Sequence, residues 1–455
     1  MRSTTGRIHH ARPDTNLSKI MSQLSTSKLE SELPAPLLVE AKFEQHALEN
    51  PAQETIAQLE SVFKSTPLEG KRIAIAAGSR GIDKIVTVVR SAVEYFKRRG
   101  AMPFIVPAMG SHGGATTEGQ TEVLEALGIN ESSVGAPINA DLETITLGET
   151  ATGMLVHVAR TVYEADALLI INRIKPHTDF VSKALGSGIR KMSVIGLGNA
   201  RSSFATHRAA SQRGFEFVLT EVSDFIFAKL PAVYGLALIE DAYHQLSHIE
   251  ALTAAQVAER EPALLAQSAR WMPSLPFAEI DVLILDEIGK NISGAGMDPN
   301  ITGRDIHGFP RSDRRAAIGA IYVRGLTPES HGNAIGLGFA EVVSAKLVEQ
   351  MDRRKTFTNA LSAMTPASVR IPMHFDTDAE CLEAALRLAG TDNATARIVR
   401  VQNTLALNRF IATENYAHEI AERSDLRIVE KLKSWVFDAT GNFDSAHDLL
   451  NRSHS

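Results

Sequence analysis

The stretch Ala167–His207, ALLIINRIKPHTDFVSKALGSGIRKMSVIGLGNARSSFATH, decides how this chain is read. It opens on a continuous apolar run, Ala167 to Ile171, of the length and character of a buried strand. Arg173, Lys175, His177 and Asp179 follow at once, then Gly186 and Gly188, the pair Arg190-Lys191, Gly196, Gly198 and finally His207. A strand that empties into ionisable groups and glycines points to a ligand crevice at the carboxyl end of a sheet strand. Charge needed only for solubility can sit on any helix face.

The same order recurs upstream. RIAIAA from Arg72 is a strand that leaves through Gly78-Ser79-Arg80-Gly81. Residues 84–98 then place Ile85, Val88, Val89, Ala92, Val93 and Phe96 at helical spacing. Met102 to Ala108 is the next strand, with Gly110-Ser111-His112-Gly113-Gly114 as its exit, and a helix follows through Val123, Leu124 and Leu127. Strand, loop and helix in alternation predict a mainly parallel sheet with helices on its faces. Before these units, residues 33–66 read as a strand and a short helix, and LETITLGET and Met154–Ala159 as shorter strands.

Downstream, residues 209–230 read as a pair of helices and Tyr234–Ile239 as a strand. A helix between Ala251 and Ala266 is expected to be split by Pro262. WMPSLPFAEI marks a boundary near 270–280, after which Val282–Leu285 opens a second unit with a long glycine-rich exit loop, residues 286–300. Strands at 316–323 and 397–401 and helices near 339–350 and 378–389 complete it. The fold class is therefore α/β, with two α/β domains and an active-site cleft between them. The expected organisation is a flexible N-terminal segment 1–35, a catalytic and cofactor-binding domain 36–270, a C-terminal α/β domain 281–420, and a terminal helix with polar tail 421–455.

Composition narrows the function classes. The chain has 455 residues, a formal charge of −6 and no basic block of the kind that marks a nucleic-acid face. No run reaches the apolar length of a membrane span, and the N-terminus lacks the apolar core of a secretory signal. His9-His10 in that polar N-terminus reads as tail rather than metal site. A single cysteine, Cys381, excludes an internal disulfide and a cysteine-rich metal cluster. A cytoplasmic enzyme is the expectation, with neither nucleic acid nor membrane as partner.

Individual residues sharpen this. Arg80, on a glycine-flanked turn, suits a bidentate grip on a carboxylate, although an ordinary surface arginine would look the same. The surrounding loop is not a dinucleotide fingerprint. His112 lies among glycines that let a ligand approach the backbone, and the helix that follows offers free N–H groups. His177 occupies a second strand-exit loop, so the two histidines are placed to flank a substrate and to exchange protons near neutral pH. Lys191 reads as an anion anchor, a proton-transfer group or a point of cofactor attachment. His207 reads as a helix histidine or a metal ligand, with Asn199 as a helix cap ahead of it. Lys290 and Asn291 open the second unit's loop toward the first, with Asp298, His307, Arg311 and His331 as weaker candidates.

With Arg80, His112, His177, Lys191 and His207 laid out, the chain resembles the nickel-pincer-nucleotide-dependent lactate racemase family of 2-hydroxy-acid racemases and epimerases. The spacing from His177 through Gly188-Ile189-Arg190-Lys191 to His207 is the most specific part, and GSHGG around His112 adds to it. The resemblance spans mainly residues 72–240. It implies a Rossmann-like N-terminal sheet and a nickel-bearing, sulfur-containing nicotinic-acid-derived mononucleotide joined covalently to Lys191. It places Arg190 and Gly188 beside that cofactor and makes His207 the nickel ligand. His112 and His177 become the acid/base pair, and Arg80 and Lys290 contact the substrate. The implied reaction moves the C2 hydrogen as hydride and returns it to either face, and the implied partners are a 2-hydroxy acid and the enzymes that make the cofactor. Ala77 stands where lactate racemases tend to carry an acidic side chain, Ile189 interrupts the glycine pattern before Arg-Lys, and the loop GKNISGAGMDPN differs from the lactate enzyme's. A larger or more polar 2-hydroxy acid, including a sugar acid, therefore stands beside lactate. The competing readings are a non-catalytic binding protein for a hydroxy acid or the cofactor, and a nicotinamide-linked dehydrogenase.

Overall fold

The computed structural model describes residues 26–443. His9-His10 and the rest of residues 1–25, like residues 444–455, lie outside the described residues. The strands in chain order are β1 (Pro36–Ala41), β2 (Arg72–Ala77), β3 (Met102–Pro107), β4 (Thr144–Glu149), β5 (Leu155–Ala159), β6 (Ala167–Arg173), β7 (Val233–Glu240) and β8 (Leu246–Thr253). They continue with β9 (Glu279–Leu285), β10 (Ala317–Val323), β11 (Val342–Ser344), β12 (Met373–Phe375), β13 (Ile398–Val401), β14 (Arg409–Thr413) and β15 (Leu426–Lys431).

Two large sheets organise them. One has the order β3-β2-β6-β7-β8, parallel except for β8. Ala167 through Ile171 in β6 are all buried, because helices cover both faces and leave a parallel strand no solvated side. Apolar clusters accordingly lie on both faces, one around Ile170, Ile189 and Leu219 and the other around Ile75, Val89 and Phe96. The second sheet has the order β12-β11-β10-β9-β13-β14-β1-β15, parallel from β12 to β13 and antiparallel beyond. It too is covered on both faces. The α/β class and the mainly parallel first sheet are as the strand-loop-helix alternation predicts.

Strand order also locates the crevice. From β2 the chain moves to β3 on one side, and β6 then pairs on β2's other side. The loops leaving β2 and β6 therefore diverge at a topological switch point, where open α/β sheets bind ligands. In the second sheet β10 pairs on one side of β9 and β13 on the other, a second switch point above β9.

Several expectations need correction. The sequence groups the segment from residue 36 with the first unit, but β1 pairs with β14 and β15 in the second sheet. Pairing between strands almost four hundred residues apart leaves no local signature. Part of the expected flexible segment 1–35 is a helix, Thr26–Glu32, with Leu29 and Leu33 buried in the second sheet's core. Beyond Ala421 the described chain forms β15 and a loop, not a terminal helix, because Trp435, Phe437 and Phe443 bury against that sheet. The helix Ala254–Trp271 runs through Pro262 unbroken. The cost of an interior proline, a lost backbone bond and a ring clash together worth about 3 kcal/mol, is offset by burial of Val257, Leu264 and Leu265 on either side. Asn199 does not cap its helix. It has φ 51°, and its side-chain amide donates to the Leu142 carbonyl at 3.2 Å.

Candidate active site

Arg80, His112, His177, Lys191, His207 and Lys290 all line one pocket. The first five come from the exits of β2, β3 and β6 and from the helical segment after them. Lys290 comes from the exit of β9, so loops at the carboxyl ends of both sheets meet there. Two polar links tie the sides together. Lys175 Nζ lies 2.7 Å from Asp298 Oδ2, and the Asn300 side-chain amide donates to the Pro176 carbonyl at 3.3 Å.

The Lys191 segment has unusual backbone. Ile189–Lys191 is a helical turn, and Leu197 N–H then donates to Met192 O, five residues back, in a π-helical turn. Such turns open a helix wall and occur often at functional sites. Lys191, Met192, Ile195 and Gly196 consequently all reach the pocket. Close packing needs glycine nearby: a Cβ on Gly196 would come within 2.6 Å of the Ala108 carbonyl, and one on Gly78 within 2.8 Å of Met192 Cε.

Arg190 and Gly188, expected beside the cofactor, do not reach the pocket wall. Arg190 turns away to pair with Asp224 at 2.9 Å and to donate to the Ser223 hydroxyl at 3.0 Å. Gly188 is a packing glycine, since a Cβ there would lie 2.0 Å from Glu261 Oε1. Adjacent side chains on a helical turn diverge by about 100°, so Lys191 can face the pocket only if Arg190 faces elsewhere. Glu261 receives the Arg190 backbone N–H at 3.2 Å, and burial pushes its carboxyl up to about 7. Asp298 is taken up by Lys175, His307 is exposed, and Arg311 pairs with Asp313.

Electrostatically the pocket is cationic. Arg80 packs over Gly294, and burial followed by the charge of Arg173 lowers its guanidinium. Burial brings both Lys191 and Lys290 down to about 8, each also depressed by Arg80 and partly restored by Asp179. Lys290 Nζ donates to Gly294 O at 2.8 Å. His112 is lowered by the surrounding protein first, then by Arg80, Lys290, Lys191 and His207. Part of its surface remains open to solvent, which screens those charges and softens the effect. Three cations against Asp179 make this wall suited to an anionic ligand.

The imidazoles are individually oriented. His207 Nδ1 lies 2.7 Å from the Ser203 carbonyl. A carbonyl only accepts, so Nδ1 carries the proton and the Nε2 lone pair is free, the tautomer a metal-binding histidine requires. His112 Nδ1 lies 2.5 Å from Ser79 Oγ. His177 Nδ1 accepts the Asp179 backbone N–H at 3.0 Å.

Sequence reading missed Ser79 and Asp179 as site residues, although both lie inside the motifs it quoted. It also missed the far wall, where Ile335, Phe339, Asn359, Ser362 and Thr365 line the pocket. Among the described residues no group of three His, Cys, Asp or Glu side chains could hold a metal ion by itself, and no helix is long and apolar enough to cross a membrane.

Residues 14–215 match the family model of the lactate racemase N-terminal domain. Over that stretch the chain carries a domain of the lactate racemase N-terminal type. The lactate racemase match takes in Arg80, His112, His177, Lys191 and His207 and covers less than half of the chain. Among solved structures, the lactate racemase apoprotein from Thermoanaerobacterium thermosaccharolyticum is similar at 12% identity and a TM-score of 0.48, over 82% of this chain and 99% of that one. A Thermotoga maritima protein is similar at 14% identity and a TM-score of 0.46, over 62% of this chain and 72% of that one. No curated protein matches the chain.

Proposed function

We propose that this chain racemises or epimerises a 2-hydroxy acid, with a nickel pincer nucleotide attached to Lys191. The observation that carries this reading is the convergence of Arg80, His112, His177, Lys191, His207 and Lys290 on one cationic pocket. The two sheets are read as two domains and the pocket as the cleft between them.

The residues suit the group. His207 offers a free Nε2. The absence of a three-residue metal cluster among the described residues is compatible with a nickel ion whose other donors belong to the cofactor. Lys191, held near 8, has an amine far more available for acylation than an ordinary lysine's. When bound, the group supplies a reversible acceptor for the hydride of C2. Arg80, assisted by Lys290, grips the carboxylate and holds C2 in place. His112 and His177 face the C2 oxygen, where its proton is taken up and returned. The hydroxyls and amide of the far wall leave room for a polar chain on the acid. The enzymes that make the cofactor are the implied partners, and the cytoplasm is the proposed compartment.

Co-expression with cofactor-making enzymes, followed by peptide mass and nickel analysis, tests the reading. The Lys191 peptide should gain mass, Lys191→Ala should abolish the gain, and exchange at C2 should appear on a panel from lactate to sugar acids. An unmodified Lys191 in protein that inverts such an acid would overturn it.

A further inference from the structure

The two histidines are not equivalent. His177 is 8% exposed, and its ring stacks on Phe180 with centroids 4.6 Å apart and an interplanar angle of 17°. Phe215 lies 6.2 Å away beyond it, itself stacked on Phe180 at 5.0 Å. The ring is thus held in its plane. Its Nδ1 faces the Asp179 backbone N–H at 3.0 Å, and a backbone N–H only donates. Turning the ring over would set a C–H against that donor, and protonating Nδ1 would set two N–H groups against each other. The Asp179 carboxylate is engaged on Oδ1, which accepts the Thr178 hydroxyl at 2.6 Å.

His112 has a different partner. Ser79 Oγ, 2.5 Å from its Nδ1, is a hydroxyl, which can donate or accept. His112 can keep a proton on Nδ1, donated to Ser79 Oγ, and leave Nε2 free to take one up. It can also carry both protons as an imidazolium without losing that bond.

We infer that His177 is locked as the neutral Nε2–H tautomer and serves as a hydrogen-bond donor to the substrate oxygen, while His112, oriented by Ser79, is the group that accepts and returns the proton. This rests on the proposed reaction and divides its labour. In the oxidative direction the O–H bond breaks and its proton goes to His112 Nε2. The C2–H bond breaks with its electron pair going to the hydride acceptor, and the C2–O bond becomes a carbonyl. His177 gives up no proton. Its Nε2–H bonds the oxygen before and after, as a neutral electrophile. Burial first, then Lys191 and His207, hold the His177 ring well below the usual histidine range, with Asp179 and Asp298 opposing them. His112 is lowered as well, so the partners at Nδ1, not the shifts, divide the two rings.

Protein labelled with ¹⁵N-histidine and free of cofactor tests this by two-bond ¹⁵N–¹H correlation, with His177 assigned by its loss in His177→Gln. The expected pattern is an unprotonated Nδ1 and a protonated Nε2 from mildly acidic to mildly alkaline buffer. A protonated Nδ1, alone or in an imidazolium, would overturn the inference whatever the reaction. In loaded enzyme, glutamine at 177 can still donate through its amide but at 112 cannot take up a proton. His177→Gln should lose about tenfold or less, and His112→Gln about 10²- to 10⁴-fold. Equal large losses would refute the division of labour. The expected tautomer in a loaded wild type that acts on no 2-hydroxy acid would instead refute the reaction and leave the tautomer standing.

Discussion

Lys191 reports the pocket's electrostatics before any cofactor is attached. Burial lowers its amine from 10.5 to about 8, with Arg80 adding to the effect and Asp179 opposing it. At pH 7 a lysine of pKa 10.5 is about 0.03% deprotonated and one of pKa about 8 about 10%, roughly a 300-fold difference in free amine. Brief treatment of cofactor-free protein with acetic anhydride across a pH series, followed by peptide mass analysis, reads this site by site. Lys191 labelling, normalised to its alkaline plateau, should reach half its maximum near 8. Lys183, exposed in the loop after β6, is the internal reference. Asp179→Asn removes the carboxylate that favours the charged form, so the midpoint should move to lower pH. If Lys191 follows Lys183 at every pH, or if Asp179→Asn raises the midpoint, the account of the pocket as a desolvated cationic site is refuted.

Two further predictions concern the framework that holds the site. Lys175→Met leaves the Asp298 carboxylate, 3% exposed, without its cation, and should destabilise the fold by about 3 kcal/mol in urea denaturation. Burial raises the Asp298 carboxyl, but Lys175 and Asn300 more than offset it and its pKa is lowered. The pair's contribution is therefore full above the unfolded-state pKa and fades as pH falls through the folded-state value, and the penalty of Lys175→Met should shrink in acid. A penalty that does not change with pH would mean that packing rather than charge is lost. Gly188→Ala would force a Cβ to within 2.0 Å of Glu261 Oε1 and should cost about 1–3 kcal/mol in thermal denaturation. Glu261→Ala should relieve part of that loss, whereas strictly additive effects would show that the clash is not its cause.

Much of the site was legible in the sequence because its signals are local. A five-residue apolar run followed by charge and glycine is enough to place a strand and its exit loop, as at β6. Three such exits in order carry Arg80, His112 and His177 to one sheet edge. Lys191 and His207 were legible through the spacing of a known family.

What the tertiary structure alone decided is everything that depends on distant residues or on side-chain direction. β1 joins the second sheet because its partners lie near residues 411 and 429. Arg190 turns toward Asp224 and Lys191 toward the pocket because helical geometry separates neighbours, and no composition rule says which of the two faces in. The far wall around Asn359 and Thr365 lies in and just after the helix Arg353–Ala363, whose buried residues, Thr356 and Ala360, form no apolar stripe for a pattern to find. The tautomers of His177 and His207 follow from single backbone atoms, the Asp179 N–H and the Ser203 carbonyl. Every residue has such atoms, so only the folded arrangement determines which of them meets a ring nitrogen.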